Sequence, residues 1–98
     1  MALRKKIVEA IGRDAITRAV DKYLKEHALP EDWEVLEQVL EHRDDDRVRE
    51  TMALLESMLR RGKPKRSRVM AAKLRMIEET SDDPDLRREA ARVRAILG

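Results

Sequence analysis

The segment Leu36–Leu59 occurs twice in this chain, and that constrains the fold more than any other feature. Displaced by 38 positions, LEQVLEHRDDDRVRETMALLESML (36–59) lies without a gap over LRMIEETSDDPDLRREAARVRAIL (74–97). Seven positions are identical: Leu36/Leu74, Glu41/Glu79, Asp44/Asp82, Asp45/Asp83, Arg49/Arg87, Ala53/Ala91 and Leu59/Leu97. Four more exchange one aliphatic residue for another: Val39/Ile77, Val48/Leu86, Leu55/Val93 and Met58/Ile96. A fixed period of this length is the mark of stacked helical hairpins, because one hairpin cannot bury its apolar face alone.

Each copy reads as an apolar helix, an acidic corner and a second helix that opens on an aliphatic–Arg pair. The corners are Asp44-Asp45-Asp46-Arg47-Val48-Arg49 and Asp82-Asp83-Pro84-Asp85-Leu86-Arg87. This pattern resembles the HEAT-repeat family, in which an Asp/Pro corner is followed by Val-Arg and a small residue. Ala53 and Ala91 stand at the small position, whereas Asp46 replaces the proline in the first corner. The resemblance implies an all-α chain, a short α–α superhelix of three antiparallel hairpins and about six helices. It also implies Asp–Arg ladders between neighbouring hairpins, through Asp44/Asp82 and Arg49/Arg87. On function the resemblance says little, since one scaffold carries many activities.

Composition narrows the classes. At 98 residues the chain is expected to form one domain of three hairpins, about 2–27, 30–61 and 64–97. It has no cysteine, which removes disulfides and thiolate chemistry, and no uncharged run long enough to span a bilayer. The opening residues lack the apolar core of a secretory leader, so a cytoplasmic location and no membrane partner are expected. Charged residues make up 43%, with a net charge of only +2. Such a balance describes a solvated helical surface.

Taken in order, Leu3, Ile7, Ala10 and Ile11 follow helical spacing up to Gly12. Asp14 is placed to cap a second helix, whose stripe is Ile16, Ala19, Val20, Tyr23, Leu24 and His27. Pro30 opens a third helix with Leu36, Val39 and Leu40 inside. A fourth carries Val48, Met52, Leu55, Met58 and Leu59, and stops before Arg61-Gly62. The fifth begins at Pro64 or is capped by Ser67, and buries Met70, Leu74 and Ile77. The sixth is capped by Asp83 and buries Leu86, Ala90, Val93, Ile96 and Leu97.

Several features could carry chemistry. The aspartates of the corners are hard oxygen ligands, but they lack the loop, glycine and closing Glu of a calcium site, and acids at helix N-termini are what capping favours. No metal and no cofactor are expected. His27 and His42 have no nucleophile in a recognised pattern nearby, so no catalytic residue and no enzyme activity are assigned. Tyr23 and Trp33 are the only aromatics; packing near the joint of the first two hairpins is the default reading, and an exposed Trp33 would instead mark a binding surface.

The strongest functional signal is a basic belt. Residues 60–75 hold eight cations and no acid, while residues 31–46 hold eight acids and one base, Arg43. Within the belt, Arg61, Lys63, Lys65, Arg66, Arg68 and Arg75 are the candidate binding residues. With a helix starting at Pro64, Lys65, Arg68 and Arg75 would share an exposed face. The reading favoured is a non-enzymatic protein–protein interaction or scaffold module that binds through charged helix faces. The alternative is sequence-independent contact with nucleic-acid phosphates along the belt. A homodimer through the N-terminal hairpin is also expected, because Val8 adds apolar surface beside that helix's core stripe.

Overall fold

Buried apolar residues recur at helical spacing throughout the chain, and a computed structural model describing residues 2–98 places them in six helices. These are α1 (Ala2–Glu9), α2 (Arg13–Leu24), α3 (Trp33–Val39), α4 (Asp45–Arg61), α5 (Arg68–Thr80) and α6 (Pro84–Leu97). No strand occurs among the described residues. The chain is all-α. Helix α1 packs on α2, α3 on α4 and α5 on α6, and the hairpins join through α1–α3, α2–α3, α3–α5 and α4–α6 contacts.

The short helix α3 lies between two apolar clusters and supplies both. Its Val35 and Val39 meet Ile7, Ile16, Val20 and Tyr23 of the N-terminal hairpin. Its Leu36 and Leu40 join the larger cluster of α4, α5 and α6, built on Met52, Leu55, Met70, Leu74, Ala90 and Val93. The pairing of Val35 with Val39 and of Leu36 with Leu40 is the i,i+4 geometry that gives a helix two separate stripes. A polar relay ties the same helices together. The Gln38 amide donates to the Ile7 and Ala10 carbonyls, each at 2.9 Å, and accepts from Lys73 Nζ of α5 at 2.9 Å.

The repeat is structural. Of Leu36/Leu74, Val39/Ile77, Val48/Leu86 and Leu55/Val93, only Ile77 is not fully buried. The corners, however, keep a period of 39. Asp44 and Asp83 are the N-caps, accepting from the N–H of Asp46 and of Asp85, each at 2.9 Å. Their own N–H groups donate to His42 Nδ1 (3.0 Å) and Ser81 Oγ (3.2 Å). Pro84 at the start of α6 takes up the difference, since the cap stands three residues before Leu86 but four before Val48. Arg49 reaches from α4 to Asp83 of the next corner, an Asp–Arg rung that uses Asp83 in place of Asp82.

Five local expectations are corrected. Helix α1 ends at Glu9, its last carbonyls taken by Gln38, and leaves Ile11 91% exposed. Helix α2 follows Gly12, whose φ of +90° favours glycine, and Asp14 bonds to Arg43 and does not cap. His27 lies beyond α2, exposed and against the Tyr23 ring at 4.7 Å. Helix α3 begins after Asp32, whose carboxylate takes the Glu34 and Val35 N–H groups, so Pro30 stays outside. Helix α4 runs through Arg61 and does not stop before it, while α5 begins at Arg68 with Ser67 at its N-cap position, the second of the two starts expected, which leaves residues 62–67 as the link between them.

Candidate functional site

The basic belt divides into cations that have a carboxylate partner and cations that do not. Arg60 pairs with Glu56 at 3.0 Å and Arg61 with Glu31 at 2.5 Å. Lys73 is half-buried, bound to Glu41 (2.8 Å), to Gln38 and to the Glu37 carbonyl (3.3 Å). Arg75 lies 3.7 Å from Glu79. Among the described residues, Lys63, Lys65, Arg66 and Arg68 have no carboxylate partner, and all four are exposed. They gather in the link 62–67 and at the first residue of α5. Lys65 therefore does not share a helical face with Arg68 and Arg75.

Helix α5 opens in an unusual electrostatic setting. Its cap, Ser67, makes no side-chain bond to the helix, no acid occurs in its first turn and no base in its last. Cations stand where the dipole prefers anions, and Glu78 and Glu79 stand where it prefers cations. In α4 and α6 the acids follow the rule, at Asp45 and Asp46 and at Asp85.

Two clefts border α5. One, of about 570 Å³, runs along the helix from Arg68 to the second corner, with Val69, Ala72, Met76 and Ile77 on one wall and Leu40, His42 and Val48 on the other. Arg68 lies at one end, with Asp45 and Asp82 at the other. The second, of about 1040 Å³, is formed by Trp33, Glu34 and Glu37 of α3 facing the link, and it shares Arg68 and Val69 with the first. Trp33 is half-buried against the large cluster, so packing accounts for it, while its remaining surface lines a wall opposite the cations. Burial pushes the Glu37 carboxyl up, a shift opposed by Lys73.

Within these clefts Val69 is 54% and Met76 58% exposed, with Ala72 between them also exposed. The sequence reading passed over this stripe, although the repeat contains its signal. In the first copy the positions equivalent to Val69, Ala72 and Met76 are Glu31, just ahead of α3, and Glu34 and Gln38 within it. Helix α5 is thus apolar at three positions where its counterpart is polar, and two of them leave large apolar side chains in water.

The histidines have structural settings. His42 is 4% exposed, and its Nδ1 accepts from Asp44, so Nε2 carries the proton and donates to Asp21 Oδ1 at 2.7 Å. Both nitrogens are occupied. Among the described residues, no three of His, Asp and Glu gather closely enough to hold a metal ion. No helix of those residues is long and apolar enough to cross a membrane. Compared with protein-family models, curated proteins and solved structures, the chain matches none.

Proposed function

We infer that this chain is a non-catalytic, HEAT-like interaction module of the cytoplasm, and that its binding face is the cleft along α5. The observation that carries the reading is the exposed Val69–Ala72–Met76 stripe bordered by unpaired charge. Water-exposed apolar residues grouped in a concave face, with a charged rim, are what a protein partner buries. The resemblance in the repeats supports the scaffold part of the reading, since such hairpins present helix faces to partners. The test compares what co-purifies with the unmodified chain and with Met76→Asp. A partner kept by the first and lost by the second supports this face; a partner kept by both places binding elsewhere.

A second reading has its own observation. Lys63, Lys65, Arg66 and Arg68 lack carboxylate partners and stand opposite Trp33, a combination that suits phosphates and one stacked base. Glu34 and Glu37 on the same wall weigh against it by repelling a polyanion. Retention on immobilised duplex and single-stranded nucleic acid, measured as salt is raised, separates the readings.

A further inference from the structure

We propose that the occupant of the α5 face is the α5 helix of a second copy of this chain, packed antiparallel about a two-fold axis. The proposal rests on the reading of α5 as the binding face and names its partner.

The spacing of the stripe supplies the first argument. Val69, Ala72 and Met76 are separated by three and four residues, the a–d–a spacing of a helix seam that packs side chains into the gaps of another helix. Ala72, the small residue at its middle, permits the close approach of two backbones. Two of the three equivalent positions in the first copy meet α1: Arg4 reaches Glu34 at 3.5 Å, and Gln38 donates to the Ile7 and Ala10 carbonyls, whereas Glu31 pairs with Arg61 of α4. The fold therefore already uses this face of the repeat to receive a helix. On α3 it does so by polar contacts; on α5 the same positions are apolar and open.

Charge identifies which helix. The stripe is cationic at its start and anionic at its end: Lys65 and Arg68 precede it, Glu79 and Asp82 follow it. A helix laid parallel on an identical one would set like charges together. A two-fold axis between positions 73 and 74 does the reverse. It sets Arg68 level with Glu79 of the second copy. It also sets Met76 level with Ala71 of the second copy, between Val69 and Ala72. Each contact occurs twice, as an isologous interface requires. Antiparallel packing also opposes the two helix dipoles, and brings the second copy's acids to the α5 N-terminus that lacks any of its own.

The test is sedimentation velocity over a wide concentration range, on the full chain and on variants whose helical content is checked by circular dichroism. The unmodified chain should move from 11.4 kDa toward twice that mass as concentration rises. Met76→Asp should stay at the monomer mass. Arg68→Glu and Glu79→Arg should each weaken the dimer, roughly tenfold in dissociation constant for two reversed surface pairs. Mixed in equal amounts, the two charge variants should form a dimer with one copy of each, because both pairs are then opposite in sign. A monomer at every concentration overturns self-pairing. If a co-purifying partner is nevertheless lost on Met76→Asp, the α5 face stands as the binding site with another occupant. A dimer that survives Met76→Asp, or charge variants that fail to recover one another, also overturns the proposal and places any dimer on a different surface.

Discussion

At the scale of single residues, the side chains that look most like chemistry turn out to hold corners. His42 links Asp21 of α2 to the cap of α4 through its two nitrogens. Replacing it by Ala removes both bonds and leaves the Asp44 N–H without its partner. The expected cost is about 1–3 kcal/mol, two hydrogen bonds at their ordinary net worth, read as a lower urea midpoint with an unchanged slope. Asp32 is the clearest source of acid sensitivity. The hydrogen bond from Arg4 holds its carboxyl below the ordinary range against the opposing effect of burial, and the Val35 and Glu34 N–H groups add to the lowering. A carboxyl with a lowered folded value binds its proton more weakly in the folded state than in the unfolded chain. Its contribution is therefore complete above the ordinary carboxylate range and is lost as pH falls through and below that range. Asp32→Asn should lower stability at neutral pH and flatten the loss between neutrality and about pH 3, checked by thermal unfolding of both proteins across that interval. The exposed Asp14, also held low by a hydrogen bond from Arg43, deserves no such weight, because solvent screens a surface pair.

At the scale of elements, the two hairpins that share the repeat should answer mutation alike. Leu55→Ala in α4 and Leu74→Ala in α5 each empty a fully buried site, and each should cost about 2–5 kcal/mol by chemical denaturation. Helix α5 should respond differently at its start. Ser67→Asp would supply the missing cap and an anion at the positive end of the dipole, and should stabilise by roughly 0.5–1 kcal/mol. The same change sets an acid beside Arg68 and Arg66, so it should weaken whatever those cations bind, a familiar opposition between stability and function. How far these elements were legible in the sequence depends on what enforces each. Helix interiors were legible because burial repeats with the helix period, and Leu36/Leu74 or Leu55/Val93 cannot be moved without opening the core. Helix ends were less so, since they are settled by bonds between distant residues. Gln38 stops α1 from 28 residues away, and no local pattern announces it. The candidate face was half legible. The cations of 60–75 were plain, but charge counting could not separate Arg61 and Lys73, consumed by Glu31 and Glu41, from Lys65 and Arg68. The stripe beside them was legible only by asking which apolar residues the repeat leaves unmatched.

At the scale of the whole molecule, the net charge of +2 conceals a strong separation of charge. The acids of 31–46 and the cations of 60–75 lie on neighbouring elements, and two of each are spent on one another, Glu31 with Arg61 and Glu41 with Lys73, while Arg60 and Arg75 pair with Glu56 and Glu79. Within the belt, among the described residues, what remains to act on a partner is four cations without a carboxylate partner, Lys63, Lys65, Arg66 and Arg68, beside an apolar stripe. This sets a quantitative limit on the nucleic-acid reading. Four phosphate contacts on duplex DNA imply a log–log salt slope of about −3.6, so affinity should fall roughly 150-fold between about 50 and 200 mM salt. Arg61 and Arg75 should add little, because each already has a carboxylate beside it. Changing the four unpaired residues to Gln should then abolish retention, while changing Arg61 and Arg75 should leave most of it. The protein-partner reading predicts a different dependence. Apolar burial is not screened, so complexes formed through Val69 and Met76 should weaken only by the share that the rim charges contribute. Measured on one column in one salt series, a slope near −3.6 would assign the link to phosphate. No retention on nucleic acid at low salt, together with a protein complex that survives high salt and is lost on Met76→Asp, is the outcome expected from the exposed stripe.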